Sequence, residues 1–139
     1  MHIASGHDWY GNKVKQGHVY FFALEGGMKG IAKRVRAIRK AKPDISEKAF
    51  GYFHPTREPF DLSNDYDKNR LIVQMKETNN KPSMIIYDTL SEVHNDDENG
   101  VRDMKIIIKR LREISNDFNC FVMVLHHFTL KALFIDGFF

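Results

Sequence analysis

Met84-Ile85-Ile86-Tyr87-Asp88-Thr89 decides the fold: four apolar or aromatic residues, then a carboxylate and a hydroxyl. A run this short and this branched, preceded by Asn79-Asn80-Lys81-Pro82, reads as a buried strand delivering Asp88 to its carboxyl end. Two more runs are of the same kind. His18 to Leu24 ends at Glu25-Gly26-Gly27, and Cys120 to Leu125 ends at His126-His127. Phe50-Gly51-Tyr52-Phe53-His54 is a weaker strand, closed by Pro55.

Helical patterns fill the intervals. Ile31, Val35 and Ile38 recur at helical spacing among Lys33, Arg34, Arg36, Arg39 and Lys40, and the helix stops before Pro43. The stretch from Pro59 to Asn64 is loop-like, and Asn64 or Asp65 is placed to cap a second helix carrying Tyr66, Leu71, Ile72 and Met75. A polar loop from His94 to Gly100 leads into a third, with Val101, Met104, Ile108 and Leu111 inward and Lys105, Lys109 and Arg112 outward. Unbroken apolar strands alternating with helices predict an α/β domain with a mostly parallel sheet between layers of helices. In such sheets ligands bind beyond the carboxyl ends of the strands, where Glu25, Asp88 and the two histidines stand.

Composition bounds the alternatives. The chain has 139 residues, 42% hydrophobic and 28% charged, a globular balance for one domain. With one cysteine there is no intrachain disulfide and no multi-thiolate zinc site, and a reducing, cytoplasmic setting is the default. No apolar run approaches the roughly 20 residues that span a bilayer, and residues 1–6 do not read as a signal peptide. A net charge of +3 permits contact with nucleic acid or nucleotide without demanding it.

An Asp at the end of an apolar strand is where a phosphate-processing enzyme places a carboxylate for Mg²⁺, ligating it or orienting its waters. Glu25 is suited to polarising an attacking water; its plainer role is an acid leading the next helix. Arg34, in the second turn of the basic helix, is within reach of phosphates beside Glu25. His126 and His127 suggest a metal, but adjacent strand residues point to opposite faces. A zinc site would draw a third ligand from His54, His94 or Asp88, with no ligand spacing to support it. One imidazole is better suited to sensing a phosphate or a nearby acid. The phosphate-cradling Gly-x-x-x-x-Gly-Lys-Ser/Thr occurs nowhere, and there is no Gly-Lys pair at all.

Taken in order, these pieces resemble the RecA-like P-loop ATPase core of the RepA-type replicative helicase family of plasmids, phages and mobile elements. The resemblance rests on Ile3-Ala4-Ser5-Gly6, Trp9-Tyr10-Gly11, Ala23-Leu24-Glu25-Gly26-Gly27, Ala32-Lys33-Arg34-Val35, Asp88-Thr89-Leu90, Asp97-Glu98-Asn99, Asp103-Met104 and His126-His127. It implies one partial domain over residues 1–139, family-like over 1–127, with a divergent apolar tail over 128–139. It implies ATP and Mg²⁺ as cofactors, with Glu25 as the water-activating base and Asp88 as the Walker B acid at Mg²⁺ through water. Thr89 would stand beside it at the nucleotide, Arg34 at a phosphate or an interface, and His126 or His127 at the γ-phosphate. The intact family member would act on single- or double-stranded DNA as a homo-oligomeric ring, away from membranes.

The family's Walker A loop and its strand lie before the point that Met1 matches, and the tail departs from the family pattern. The resemblance therefore implies a chain cut at both ends, idle in ATP hydrolysis alone, with an unpaired edge on the strand from Cys120 to Leu125. Two other readings stand beside it. One is a non-catalytic subunit joining a ring of intact partners; the other is a metal-dependent hydrolase using His126, His127 and Asp88.

Overall fold

In the computed structural model, residues 1–58, 61–62, 64–89 and 101–126 are described, with 101–103 as backbone only. The elements are α1 (His2–Ser5), β1 (His18–Ala23), α2 (Gly27–Ala41), a 3-10 helix (Glu47–Tyr52), β2 (Phe53–Thr56), α3 (Asp65–Glu77), β3 (Pro82–Asp88), α4 (Val101–Phe118) and β4 (Phe121–Leu125). The strands form one sheet in the order β2-β1-β3-β4, and every pairing is parallel. This is the expected α/β architecture.

The order of the strands dictates where the helices lie. From β1 the chain moves outward to β2, then returns past β1 to β3 and on to β4. Right-handed crossovers running in opposite directions place their helices on opposite faces. Accordingly α2 packs on one face, with Ile31, Val35 and Ile38 lining a groove over Val19, Phe21, Met84 and Ile86. The helices α3 and α4 pack on the other. There Leu71, Ile72, Met75, Ile107, Ile114 and Phe118 close over Tyr20, Phe22, Ile85 and Tyr87 in the main core.

The ends of the helices follow their sequence. Asn64 caps α3, its Oδ1 accepting from the Asp67 amide at 2.8 Å, and Asp65 and Asp67 favour the positive end of the dipole. Asn119, at φ 48°, ends α4 in the left-handed conformation that asparagine tolerates. The Cys120 amide then donates to the Ser115 carbonyl, and the Ser115 hydroxyl donates back to the Cys120 carbonyl. Ion pairs bind α3 to α4 and brace them: Lys68 meets Glu113 at 2.9 Å and Asp65 at 3.7 Å, Arg110 meets Asp65 at 3.2 Å, and Arg70 meets Asp67 at 3.3 Å.

Three expectations are corrected. Phe50, Gly51 and Tyr52 are not strand; Ser46 caps a 3-10 turn there, its hydroxyl accepting from the Lys48 amide. The strand begins at Phe53 and runs through Pro55, which an edge strand tolerates because one of its sides has no ladder bond to lose. On α4 the inward isoleucine is Ile107, 1% exposed, while Ile108 is 43% exposed and faces solvent. The last strand begins at Phe121, with Cys120 in the connection before it.

Candidate functional site

The direction of strand travel reverses between β1 and β3, and open α/β sheets form their ligand crevice at such a reversal. The sequence places Glu25 at the carboxyl end of one of these strands and Asp88 at the end of the other. Ala23 of β1 is paired with Asp88 of β3, which is paired with Leu125 of β4. The amides of Leu24 and Glu25 both donate to the Asp88 carbonyl, at 2.9 and 3.2 Å. This pair of bonds fixes the turn after β1 against the end of β3, so the two acids share one stretch of the sheet edge. Asp88 is half-buried and Glu25 is exposed. Thr89 follows at 1% exposure, across a cis peptide bond from Asp88.

Strand alternation places Asp88 on the same face of the sheet as Met84 and Ile86, the face carrying α2. A groove of about 650 Å³ runs over that face, with Arg34 among its lining residues. Arg34 is exposed and forms no ion pair among the described residues. The structure thus brings Glu25, Asp88 and Thr89 together at one edge and sets Arg34 on the helix above the neighbouring groove. His126 follows β4 at the same edge and is exposed; His127, His94, Leu90 and the segment Asp97-Glu98-Asn99 lie outside the described residues.

One cation escaped the sequence reading. Arg57 follows β2 at the same carboxyl edge, and its guanidinium lies 3.8 Å from where a side chain on Gly27 would begin. Gly27 adopts φ 65°, so the turn after Glu25 uses the left-handed conformation that glycine allows freely. The available signal was positional: Thr56-Arg57 ends a strand just as Asp88-Thr89 does.

At the opposite, amino end of the sheet, His18 and His54 are in ring-to-ring contact, Nδ1 to Nε2, at 2.8 Å. Burial, and then the neighbouring His18, hold the His54 imidazole below its ordinary range. Among the described residues no three His, Cys, Asp or Glu side chains converge as a metal site. Nor, among them, is any helix long and apolar enough to cross a membrane.

With this geometry in place, a family profile described as an AAA domain matches residues 1–132. The chain belongs to the AAA domain family. Its fold is also similar to that of a solved structure. The crystal structure of the RadB recombinase resembles this AAA domain with a TM-score of 0.53 and 19% sequence identity. The likeness covers 85% of this chain and 54% of that one, so the AAA domain described here spans about half the length of that structure. At that identity the match establishes the RecA-like fold. No curated protein matches the sequence.

Proposed function

We propose that this AAA domain is part of a RecA-like ATPase that acts on DNA, of the RepA-type helicase kind, and that its Mg²⁺ and water-activating residues are Asp88 and Glu25. The observation that carries the reading is their position, side by side at the reversal point of the sheet. Asp88 is suited to hold Mg²⁺ through water, with the Thr89 hydroxyl next to it in sequence. Magnesium there supplies charge neutralisation for the phosphates. Glu25, exposed and just past the sheet edge, is suited to orient and deprotonate a water. His126 stands at the end of β4, where an imidazole can report on a bound phosphate. Arg34 lines the neighbouring groove from α2 and Arg57 follows β2 at this edge, and both carry rigid hydrogen-bond forks for phosphate oxygens.

The residues present fit the metal and water half of an ATP site better than the phosphate half. These 139 residues include no Gly-x-x-x-x-Gly-Lys loop, whose amides and lysine normally supply phosphate binding and transition-state stabilisation. The polypeptide 1–139 is therefore expected to hydrolyse ATP at background rate. Steady-state phosphate release from purified protein with Mg²⁺ and ATP tests this. Robust turnover that disappears in Asp88→Ala would show that the phosphates are held some other way.

A second reading, a non-catalytic subunit within a ring of intact partners, is favoured by one feature. Among the described residues β4 pairs only with β3, and Phe121, Met123 and Leu125 are 62, 38 and 40% exposed along it. An open apolar strand edge is an assembly surface. Copurification with a full-length ATPase supports this reading, and a monomer that captures none counts against it.

A further inference from the structure

The outer face of α2 carries a row of cations that the nucleotide site does not use. The helix has six Lys or Arg residues and no Asp or Glu. Two of the six are engaged or turned elsewhere. Arg39 meets Glu47 at 3.2 Å and stacks over Phe50 at 4.2 Å, and Arg34 lines the groove. The other four, Lys29, Lys33, Arg36 and Lys40, are all exposed and form no ion pair among the described residues. The first acids after the helix are already paired, Asp44 with His7 and Glu47 with Arg39, and Glu25, before it, stands at the candidate nucleotide edge.

Spacing makes a stripe of these four. Steps of four, three and four residues keep them within about 60° of one another around a helix of about 3.6 residues per turn. Ile31, Val35 and Ile38 lie on the opposite side, against the sheet. The row therefore points straight outward and extends about 16 Å at ~1.5 Å per residue. Unpaired like charges in a row repel one another, and that repulsion is relieved by a linear polyanion. One strand of a nucleic-acid duplex advances about 3.4 Å per phosphate, so the stripe can lie along roughly five nucleotides.

We propose that Lys29, Lys33, Arg36 and Lys40 form a sequence-independent contact surface for the phosphate backbone of nucleic acid. An anionic membrane is the less suitable polyanion. A helix that lies on a bilayer inserts its apolar face, and the apolar face of α2 is committed to the sheet. The proposal deepens the DNA-directed part of the proposed function and rests on that part alone. Binding is read without nucleotide, so its failure leaves the assignment of Glu25 and Asp88 untouched.

The test is fluorescence anisotropy of the full chain with a labelled 30-base-pair duplex, titrated over NaCl from about 50 to 200 mM. Four phosphate contacts predict a log–log salt slope near −3.6. The double variant Lys33→Ala/Arg36→Ala should weaken binding and bring the slope to about −1.8. The double variant Lys105→Ala/Arg112→Ala, on α4 across the sheet, should leave both unchanged, which separates the stripe from overall charge. All four positions are exposed on helices, and circular dichroism checks that each variant folds. The proposal is overturned by an absence of duplex binding at 50 mM NaCl, by an unchanged slope in the α2 variant, or by equal losses in both variants. It is also overturned if the protein binds vesicles containing phosphatidylserine and ignores the duplex.

Discussion

The two faces of the sheet are finished to different degrees. Under α3 and α4, Tyr20, Phe22, Ile85 and Tyr87 are at most 8% exposed, and Ile107 and Ile114 seal them at 1% and 0%. Under α1 and α2 the fully buried cluster is small, Ala4, Val19 and Met84, and a groove of about 650 Å³ runs along this face, lined by α1, α2 and the strands. The same strand, β4, shows both conditions: Val122 and Val124 pack into the closed core while Phe121, Met123 and Leu125 face outward. The closed face holds the domain together. The open face, which carries Asp88 at its edge, is where a ligand or a partner has room to act.

Substitutions can break this comparison. Ile114→Ala on the closed face should cost about 3 kcal/mol, as large-to-small changes in a sealed core do. Met123→Ala on the open face should cost less than about 1 kcal/mol, since a side chain still in contact with water loses little on truncation. Urea denaturation of both measures the contrast, and equal losses would mean that the open face is covered in solution. Next in size is Gly17→Ala. The added methyl would occupy the place of the Ser83 side chain, where the start of β1 passes that of β3, and should cost about 1–3 kcal/mol.

Smaller effects sharpen the same picture through charge. Because His54 is held below its ordinary pKa, the unfolded chain binds more protons once the pH drops under about 6.5. Stability should therefore decline as pH falls through that value, and His54→Gln should flatten the decline. Thermal denaturation of both proteins between pH 7.5 and 5 reads the difference. Last, the hydrogen bond from Lys68 holds Glu113 below the usual carboxylate range and Lys68 above the usual amine range. This tie between α3 and α4 is partly solvated, so Lys68→Ala should cost only about 0.5–1 kcal/mol. A loss as large as that of Ile114→Ala would mean that charge, not packing, closes that face.

The strands that carry the site were legible because they are apolar, short and end in acids. Pro82–Asp88 contains the run Met84 to Tyr87, His18–Ala23 stops one residue short of the run His18 to Leu24, and their parallel pairing follows from the helices between them. The inward face of α4 was less legible because Ile106-Ile107-Ile108 offers three phases. The decision came from Ile114 and Phe118 further along, at spacings that continue from Ile107. Around Phe50 the aromatic run resembled a strand, and the deciding residue was Ser46, whose cap stabilises a helical turn instead. Arg57 was passed over because a lone exposed arginine has no pattern; only the return of the chain beside Gly27 gives it a neighbourhood.

The account centres on Asp88 and Glu25 forming the metal end of a nucleotide site at the carboxyl edge of β1 and β3. Paramagnetic broadening of backbone amide signals by Mn²⁺ and ATP at millimolar concentration tests it directly. The account predicts broadening centred on Glu25, Asp88 and Thr89 and its loss in Asp88→Asn. Broadening centred on the His18–His54 pair, or surviving unchanged in Asp88→Asn, would contradict it.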